Sequence, residues 1–388
     1  MSLVRPFSGR VVTQHWGSRV ISPPHDVLTA AERQSILSDN PDSYLHVTSD
    51  PQDLPERPDG RAAGANAIAL QRLLDLGAYS PPVDRALFAY RMSEPRGGHT
   101  GLVAQVAVRG FADGRVRGHE AVQPDRVAGL VRHFDAVPRR SELVSLVHRD
   151  DHALAELTAQ VCADAPILQL TDLGGVEQSV WQLDARRLAE VAPLLDALPH
   201  YIADGHHRVA ASLRRWRRDG EPEDSTVLSA IYPAAQISVY SFHRRVHGPV
   251  AASELLSRLH AEFSVSSVAA PTQETGSFGM YVDGQWYRLT PRQARHQAGV
   301  AGLDVTVLDG QVLGPLLGVD RGDPRLVFIP ELRDLPAGLS ACDADGGVMF
   351  TLQAPGMDDL FTVADRGEVM SAKTTYVQPK PRSGIFLQ

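Results

Sequence analysis

Cysteine is scarce in this sequence of 388 residues, which contains only Cys162 and Cys342. Two cysteines this far apart exclude a disulfide-stapled scaffold and a cysteine-rich zinc module, and they fit a reducing compartment. We therefore expect a cytoplasmic protein.

The sequence also has no excess of basic charge, because 46 acidic residues outnumber 38 lysines and arginines and give a formal net charge of −8. Nucleic-acid binding relies on an excess of basic charge, so no nucleic-acid partner is predicted.

Long apolar runs are missing as well. No segment approaches the ~20 apolar residues that cross a bilayer, and the N-terminal stretch MSLVRPFSGRVVTQHWG lacks the continuous apolar core of a signal peptide. We predict neither a membrane span nor a membrane partner.

The hydrophobic content of 43% and the charged content of 22% are typical of a soluble globular protein. The length favours two domains over one.

Lysine is almost absent. Of the 38 basic residues only Lys373 and Lys380 are lysines, and both lie in the C-terminal stretch SAKTTYVQPKPRSG. A lysine presents a compact ammonium, whereas an arginine presents a bulky planar fork. The preference for arginine indicates the source of the sequence rather than a function, and it leaves open why two lysines are kept. Lys380 is expected to be the more exposed of the two and to matter less.

Apolar periodicity predicts alternating strands and helices. A helix follows the PPHDV stretch, because Thr29 and Glu32 have the spacing of a capping box. Another helix begins near Pro124. The segments RALFAYRM and GLVAQVAVRGF are predicted to be the strands of one hairpin, and Asp283-Gly284 the turn of a second. The apolar faces are predicted to contain Val127, Leu130, Val131 and Phe134 in the helix after Pro124, and Val209, Leu213 and Trp216 in a later helix.

The segment HYIADGHHRVAASLRRW joins an apolar strand to that later helix. Asp204 is predicted to be the N-cap, and Gly205 allows the backbone to approach a ligand. Arg208 and two histidines in the first turn are unusual, because a helix N-terminus carries partial positive charge. One interpretation is a carboxylate that only offsets Arg208. Another is an anion site in which N–H groups, imidazoles and a guanidinium converge on a phosphate. A zinc site is less favoured by the spacing.

Three segments, in chain order, resemble the free serine kinases of the ParB/sulfiredoxin superfamily. ADGHHRVAA resembles their D-G-H-H-R segment, RGHEAVQPDRVAGLVRHF their His-Glu segment, and RGEVMSAKTTYVQPKPRSG their C-terminal S-P-K-T-T segment. Over its full length the chain is more similar to a broad bacterial family with P-P-Y-D-V, D-G-H-H-R and K-S-T-x-F-x-P-K-x-R-S-G motifs. Ala372 stands where the kinases have proline, and no cysteine lies beside the D-G-H-H-R turn, which argues against sulfiredoxin activity.

The resemblance implies roles for individual residues. Glu120 matches the catalytic carboxylate, which would accept the proton of a substrate hydroxyl, and Asp204 and His207 would be the other catalytic residues. The nucleotide would be bound by His119, Gly205, His206, His207 and Arg208, with Asp204 as the ligand of Mg²⁺. The substrate would be bound by Lys373, Thr374, Thr375, Phe242, His243 and Arg244.

The fold implied by the resemblance is α+β, with a ParB/sulfiredoxin-like nucleotide-binding domain and a smaller α+β domain. We expect an N-terminal extension packed on the core over 1–110, the ParB/sulfiredoxin-like catalytic domain over 111–248, and the smaller domain over 249–370. Residues 371–388 would return to the active site, where Lys373, Thr374 and Thr375 would hold substrate at the domain junction. The kinases have no counterpart of most of residues 1–110, so this extension has no implied role.

The implied function is a nucleotide-dependent kinase that phosphorylates the hydroxyl of free L-serine or a similar small hydroxy-amino acid, with ATP or ADP and Mg²⁺. Its partner would be the small-molecule substrate. One alternative is a ParB-like nucleotide-binding switch without small-molecule kinase activity. Another is a metal-dependent hydrolase that uses His119, His206 and His207. The sequence leaves a homo-oligomer open.

Overall fold

The structure is a computed structural model that describes residues 2–49, 64–94, 97–137, 139–293, 298–332 and 335–388. By its contacts the chain divides into two compact units. Unit 1 comprises Met1–Gly118, Val122–Ile237 and Pro379–Gln388, and unit 2 comprises His119–Ala121 and Ser238–Gln378. Both units mix helices with sheets, which confirms the mixed α and β composition that the sequence predicts. No described helix is long and apolar enough to cross a membrane.

The strands follow one another along the chain. They are β1 (Val4–Arg5), β2 (Phe7–Val11), β3 (Val83–Ala86), β4 (Phe88–Glu94), β5 (Gly97–Ala107), β6 (Val116–Arg117), β7 (Val144–His148), β8 (Leu168–Thr171), β9 (Glu177–Gln182), β10 (His200–Asp204), β11 (Thr226–Pro233), β12 (Ser238–Val246), β13 (Phe263–Val268), β14 (Gln273–Glu274), β15 (Ser277–Val282), β16 (Gln285–Pro291), β17 (Leu326–Pro330), β18 (Val348–Thr351), β19 (Thr375–Gln378) and β20 (Phe386–Leu387).

The α-helices lie in the segments between these strands. They are α1 (Gln14–Val20), α2 (Ala30–Asp39), α3 (Leu45–Thr48), α4 (Ala65–Asp75), α5 (Val108–Ala112), α6 (Pro124–Ala136), α7 (His152–Val161), α8 (Ala185–Ala197), α9 (His206–Arg218), α10 (Ala252–Leu259), α11 (Asp304–Val307), α12 (Gly314–Leu317), α13 (Leu335–Asp345) and α14 (Met357–Asp365).

Unit 1 is built on a nine-stranded sheet with the order β6-β10-β7-β11-β5-β4-β9-β8, in which β1 also pairs with β5. Strand β10 runs parallel to β6 and antiparallel to β7, while β11 runs parallel to β7. The predicted hairpin of β4 and β5 is confirmed by their antiparallel pairing from Phe88 opposite Val103 to Glu94 opposite Gly97. A second, three-stranded sheet has the order β20-β2-β3 and holds the C-terminal residues.

Helix α9 is packed in unit 1 through the apolar face that the periodicity predicts for it and through the apolar face predicted for α6. Val209 and Trp216 are buried in the main core, and Leu213 packs against it. Val127 and Phe134 of α6 pack against Ala211 on another side of α9. Each large apolar side chain buried in this way contributes about 1.5–3 kcal/mol relative to full exposure, so the start of α9 rests on a rigid support.

Unit 2 is built on an eight-stranded sheet with the order β13-β16-β15-β18-β12-β17, in which β14 pairs with β15 and β19 with β12. The turn between β15 and β16 is confirmed at Asp283 and Gly284, whose φ angles of 52° and 73° are those of a two-residue hairpin loop. Strand β12 is the centre of this unit, because it pairs with β17, β18 and β19.

The strand expected for GLVAQVAVRGF is wrong at its end. It stops at Ala107, and Val108–Ala112 form α5. In a helix Val108 and Phe111 lie on one face, and both are buried in the core of unit 1. A Cβ at Gly110 would lie 2.1 Å from Cδ1 of Leu3, so glycine permits this close packing.

Candidate functional site

The residues that the sequence analysis singles out fall into two groups, one in each unit. The D-G-H-H-R residues Asp204 to Arg208 belong to unit 1, together with Lys380. The others belong to unit 2, and they are His119, Glu120, Phe242, His243, Arg244, Lys373, Thr374 and Thr375.

The turn from β10 into α9 depends on Gly205. This residue is the N-cap of α9 and has a φ of 103°, a left-handed conformation that favours glycine. A Cβ there would also lie 3.2 Å from Cγ2 of Val144 and from Nε of Arg208. The N-terminus of α9 has no side-chain cap, so the predicted N-cap role of Asp204 is wrong. The first N–H groups of a helix have no acceptor within the helix itself.

Asp204 instead binds two cations. Nζ of Lys380 donates to Oδ1 of Asp204, and Nη2 of Arg208 donates to Oδ2 at 2.7 Å. Nη1 of Arg208 also donates to the carbonyl of Leu143 at 2.5 Å, which fixes the guanidinium on both sides. Burial acts to raise the pKa of Asp204, but the charges of Lys380 and Arg208 outweigh it and hold that pKa well below its usual range. The carboxylate is thus ionised and shared between two positive groups.

The two histidines of the turn differ in their surroundings. His206 is buried, and its ring lies beside Gly118, where an added Cβ would be 3.2 Å from Cδ2 of the imidazole. His207 is less buried, and the N–H of Gln123 donates to its Nε2 at 3.0 Å. An accepting Nε2 places the proton of the neutral ring on Nδ1. His207 therefore ties the residue that precedes α6 to the first turn of α9.

Lys380 is buried at the turn before α9, where it contacts Asp204. The expectation that it is the more exposed lysine is wrong, because only 7% of its surface is exposed whereas Lys373 is exposed. One signal was available, since a lysine in a chain of arginines is rare wherever it stands. The charged, proline-rich composition of QPKPRSG favours exposure and so predicts the opposite of what the structure shows.

The C-terminal residues hold Lys380 in place through a buried polar network in unit 1. Nε of Arg382 donates to Oδ2 of Asp172 at 2.6 Å, and the backbone N–H of Arg382 donates to the Tyr90 hydroxyl at 3.3 Å. Asp172 also accepts from Gln178 at 3.0 Å and from two backbone N–H groups. The Tyr90 hydroxyl donates to Gln178 at 2.6 Å. Two residues after Lys380, the chain is therefore fixed by charge and by hydrogen bonds.

A second anchor follows at Gly384. Its N–H donates to the Ser141 hydroxyl at 2.6 Å, and its carbonyl accepts from the Tyr79 hydroxyl at 3.1 Å. Its φ is 90°, and a Cβ would lie 2.8 Å from Cβ of Tyr44, so the position requires glycine. Phe386 then packs its ring 5.4 Å from that of Phe88. The final ten residues are a structural part of unit 1.

Glu120 and His119 are joined to the C-terminal stretch of unit 2. The N–H of Met370 donates to the carbonyl of His119 at 2.7 Å, and Glu120 forms a parallel β-bridge with Met370. His119 is 1% exposed, while Glu120 is half-buried. The structure therefore brings the His-Glu segment next to the residues that lead into Lys373.

Lys373 has an unusual backbone in the same unit. Its φ of 61° is left-handed, which is rare for a residue with a side chain. Its carbonyl accepts from Nη2 of Arg244 at 3.0 Å, and its Nζ lies 5.1 Å from the centre of the Phe242 ring. Arg244 is 1% exposed, and it also donates to the carbonyl of Phe242. Arg244 thus fixes the backbone of Lys373 through a hydrogen bond to its carbonyl.

Thr374, Thr375 and His243 complete this group. The Thr374 hydroxyl is buried and donates to the carbonyl of Ser371 at 2.7 Å, and Thr375 is paired with Ser241 of β12. The N–H of Leu352 donates to Nδ1 of His243 at 3.3 Å. Burial, and secondly the charge of Arg244, lower the pKa of His243 to about 4, so this imidazole is neutral near pH 7.

A cavity of about 130 Å³ opens inside unit 2 beside these residues. Its buried walls include the hydroxyl residues Ser241 and Thr374, and its exposed walls include Asp359. A cavity of about 150 Å³ accommodates a molecule of benzene size, so this one has room for a small molecule of roughly six heavy atoms. It is too small for a nucleotide.

The residues do not fit a magnesium ion held by Asp204. Each oxygen of this carboxylate already accepts from a cationic side chain, and a cation bound there would repel both. Within the described ranges, no three His, Cys, Asp or Glu side chains come together as a metal group. The same finding leaves the metal-dependent hydrolase interpretation without a ligand set in the part of the chain that the structure describes.

Solved structures that match this chain include a free serine kinase in complex with AMP. It has 14% sequence identity and a TM-score of 0.40, and the match covers 73% of this chain and 91% of that one. SbnI with C-terminal truncation from Staphylococcus aureus has 12% identity and a TM-score of 0.41, with coverage of 73% and 85%. A conserved hypothetical protein from Pyrococcus furiosus has 14% identity and a TM-score of 0.36, with coverage of 71% and 90%.

The curated proteins contain no match to this chain. A family model does match it, over residues 4–306, which include His119, Glu120 and the whole D-G-H-H-R turn. A match over this share of the sequence decides the family: the chain belongs to the family described as protein of unknown function (DUF1015).

Proposed function

We propose that this protein is a nucleotide-dependent kinase that transfers a phosphoryl group to the hydroxyl of free L-serine or a similar small hydroxy-amino acid. The observation that carries the proposal is the N-terminus of α9. This N-terminus has no side-chain cap, and Gly205 before it has no side chain that would block a ligand. Arg208 and Lys380 both donate to the carboxylate of Asp204 at the same turn. Sequence motifs that resemble those of the free serine kinases support it.

The N-terminus of α9 supplies what a phosphate needs. The N-terminus and the dipole of a helix attract an anion. A half-buried guanidinium and a buried ammonium add full positive charges at the same turn. In phosphoryl transfer the protein contributes chiefly positioning and neutralisation of the negative charge spread over the phosphate oxygens. We assign ATP or ADP to this turn, with Gly205, His206, His207 and Arg208 as its nucleotide-binding residues.

The residues proposed to bind the phosphoryl acceptor belong to unit 2. We assign the small hydroxy-amino acid to Lys373, Thr374, Thr375 and Phe242, since the ammonium of Lys373 is exposed above an aromatic ring next to a cavity of amino-acid size. His243 and Arg244 are internal in unit 2 and act through their neighbours. Arg244 fixes the Lys373 carbonyl, and His243 fixes the segment at Leu352.

Glu120 is the proposed general base. In the reaction the acceptor hydroxyl oxygen forms a bond to the transferred phosphorus, and the bond from phosphorus to the bridging oxygen of the nucleotide breaks. Glu120 takes the hydroxyl proton, and the nucleotide leaves as the next lower phosphate. The product is a phosphomonoester. Because Asp204 does not fit as a metal ligand, no step here depends on magnesium.

Phosphorus NMR tests this proposal. The full-length protein is incubated with ATP or with ADP, each with a panel of amino acids and their analogues without a hydroxyl. The expected result is a new phosphomonoester resonance that requires a hydroxyl acceptor. Nucleotide binding without any phosphomonoester across the panel would favour a ParB-like nucleotide-binding switch and would reject the kinase.

A further inference from the structure

The cavity of unit 2 is lined by side chains that can accept hydrogen bonds. Four of the wall residues have a hydroxyl, and they are Ser241, Thr275, Thr362 and Thr374. The charged wall residues are two carboxylates, Asp304 and Asp359, and no lysine or arginine lines the cavity within the described ranges. A ligand group that donates hydrogen bonds and carries a positive charge is complementary to such walls.

The two buried hydroxyls of the walls are left as hydrogen-bond acceptors. The Ser241 hydroxyl donates to the carbonyl of Leu352 at 2.8 Å, and the Thr374 hydroxyl donates to the carbonyl of Ser371 at 2.7 Å. A hydroxyl has a single hydrogen to donate, so only the oxygen lone pairs of these two side chains are left for a bound molecule. They therefore suit an N–H donor such as an ammonium better than a carboxylate or a phosphate.

Asp359 adds a negative charge to the same cavity. It lies in the first turn of α14, where its Oδ2 accepts from the N–H of Gly356 at 2.9 Å. Oδ1 has no hydrogen-bond donor in the part of the chain that the structure describes, although a carboxylate accepts through both oxygens. The helix dipole stabilises any acidic residue in a first turn. It does not explain why Asp359 lines a cavity while Asp358 of the same turn does not.

Two segments of the cavity wall are fixed by hydrogen bonds. The N–H of Leu352 donates to Nδ1 of His243 at 3.3 Å. In the segment 298–305, the N–H of Val300 donates to the carboxylate of Glu368 at 2.8 Å. Wall positions that are fixed before binding reduce the entropy lost when a ligand binds, so the cavity is preformed for a small ligand.

We propose that this cavity binds the ammonium group of the small amino acid that accepts the phosphoryl group, and that Asp359 pairs with that ammonium. The inference rests on the proposed function and adds a residue that determines its specificity. A free amino acid carries one ammonium and one carboxylate, so a site that selects it needs one group of each opposite charge. Asp359 supplies the negative charge. The exposed ammonium of Lys373, the residue before Thr374, supplies the positive charge.

A metal ion suits these walls less well than an ammonium does. Calcium takes about 6–8 oxygen ligands, and magnesium requires a nearly regular octahedron. Among the described residues, no three His, Cys, Asp or Glu side chains come together as a metal group. The three N–H donors of an ammonium instead match a carboxylate and a few hydroxyl oxygens.

A matched pair of compounds tests the inference, because L-glycerate differs from L-serine only in a hydroxyl that replaces the ammonium. The full-length protein is assayed with each compound for phosphomonoester formation, and it is titrated with each compound by calorimetry, alone and with AMP. Wild type should prefer L-serine. Asp359→Asn should lower kcat/KM and affinity for L-serine roughly 10-fold, the lower end for a hydrogen bond to a charged group because Asp359 is exposed. The values for L-glycerate should not change.

The substitution is chosen so that folding is preserved. An asparagine at 359 keeps an oxygen that can accept from the N–H of Gly356, so the melting temperature should stay near that of wild type. Asp358→Asn removes an equal charge from the same turn outside the cavity and serves as the control. Equal losses for L-serine and L-glycerate in Asp359→Asn, or the same loss for L-serine in Asp358→Asn, would overturn the inference.

Failure of the inference and failure of the proposed function give different results. If a phosphomonoester forms and the preference for L-serine is the same in wild type and Asp359→Asn, the kinase stands and the inference is wrong. If wild type binds L-serine through Asp359 but forms no phosphomonoester, the cavity keeps its ligand and the kinase is rejected. If wild type neither binds nor phosphorylates any amino acid, both are wrong.

Discussion

The ion pair between Arg382 and Asp172 should be among the costliest to break in unit 1. Asp172 is 7% exposed, and it accepts from Arg382, from Gln178 and from the N–H groups of Gly174 and Val176. In Arg382→Met the carboxylate keeps the bonds from Gln178, Gly174 and Val176, and it loses its only charged donor within the part of the chain that the structure describes. We expect Arg382→Met to reduce the free energy of unfolding by about 3 kcal/mol.

This magnitude follows from the burial of the pair. Removing one partner of a buried ion pair typically costs about 3–5 kcal/mol, because the other charge is left uncompensated. The loss of unfolding free energy expected for Arg382→Met lies at the low end of this range, since three hydrogen bonds still stabilise the Asp172 carboxylate. Breaking an exposed ion pair reduces the free energy of unfolding much less. Arg186 and Glu190 of α8 are 3.1 Å apart with side chains 85% and 41% exposed, and Arg186→Met should cost at most about 0.5 kcal/mol.

Urea denaturation followed by tryptophan fluorescence measures this difference. Trp16, Trp181 and Trp216 belong to unit 1 and only Trp286 to unit 2, so the signal reports mainly on unit 1. The expected result is a clearly lower midpoint for Arg382→Met and a nearly unchanged one for Arg186→Met. Equal midpoints for the two variants would refute the claim that the C-terminal residues are an anchored part of unit 1.

Three further predictions follow from the two units. Glu120→Gln should keep nucleotide affinity and lower the rate of phosphomonoester formation by ~10²–10⁴-fold, as expected when a general base is removed; an unchanged rate in phosphorus NMR would exclude Glu120 from the mechanism. Lys373→Arg should lower kcat/KM for the amino acid at least ~10-fold with little change in melting temperature, because the exposed ammonium contributes at most about 1 kcal/mol through Phe242; full activity would reject the proposed acceptor site. Burial lowers the pKa of His200 and of His243 to about 4, so the unfolded chain binds more protons than the folded one between about pH 6.5 and 4. Stability should therefore fall as pH is lowered through that window, by up to about 3 kcal/mol for each histidine, and urea midpoints that do not differ between pH 7 and pH 4.5 would contradict this.

Features set by neighbouring residues were predictable from the sequence. The capping box of α2 is one, because the Glu32 carboxylate and the Thr29 hydroxyl exchange hydrogen bonds with backbone N–H groups only three residues apart. The turn at Asp283-Gly284 is another, since left-handed φ angles at two successive positions favour this pair. In both cases the energy that decides the structure is local, so a short stretch of sequence contains it.

Asp204 shows where local reasoning fails. An Asp before a helix is a good N-cap by propensity, but the cap competes with any cation that tertiary structure brings near. Here Arg208 lies one turn ahead and Lys380 arrives from 176 residues further along the chain. Hydrogen bonds to two charged groups outweigh a single cap bond, so the carboxylate turns away from the helix. The sequence singles out Lys380 as one of two lysines, but it contains no information that this lysine contacts Asp204.

The burial of Lys380 could not be predicted for the same reason. Charged, proline-rich chain ends are usually exposed, and QPKPRSG has that composition. What buries it are contacts with Asp172 and Ser141, which lie 210 and 243 residues away in the chain. A periodic pattern predicts which face of an element is buried, but it contains no information about which distant element will cover an irregular segment.

The two lysines therefore stand seven residues apart for different physical reasons. Lys373 lies in unit 2, where Arg244 and the pairing of β19 with β12 fix its backbone and its ammonium faces outward above Phe242. Lys380 lies in unit 1, where its ammonium is buried on Asp204. An exposed ammonium is suited to a ligand that arrives and leaves, as an acceptor does, and its loss should appear in kcat/KM. A buried ammonium on a carboxylate is suited to a fixed contact within unit 1, and its loss should appear in the free energy of unfolding. If exchanging Lys373 changed only the stability and exchanging Lys380 lowered kcat/KM for the amino acid, the assignment of the acceptor to Lys373 would be wrong.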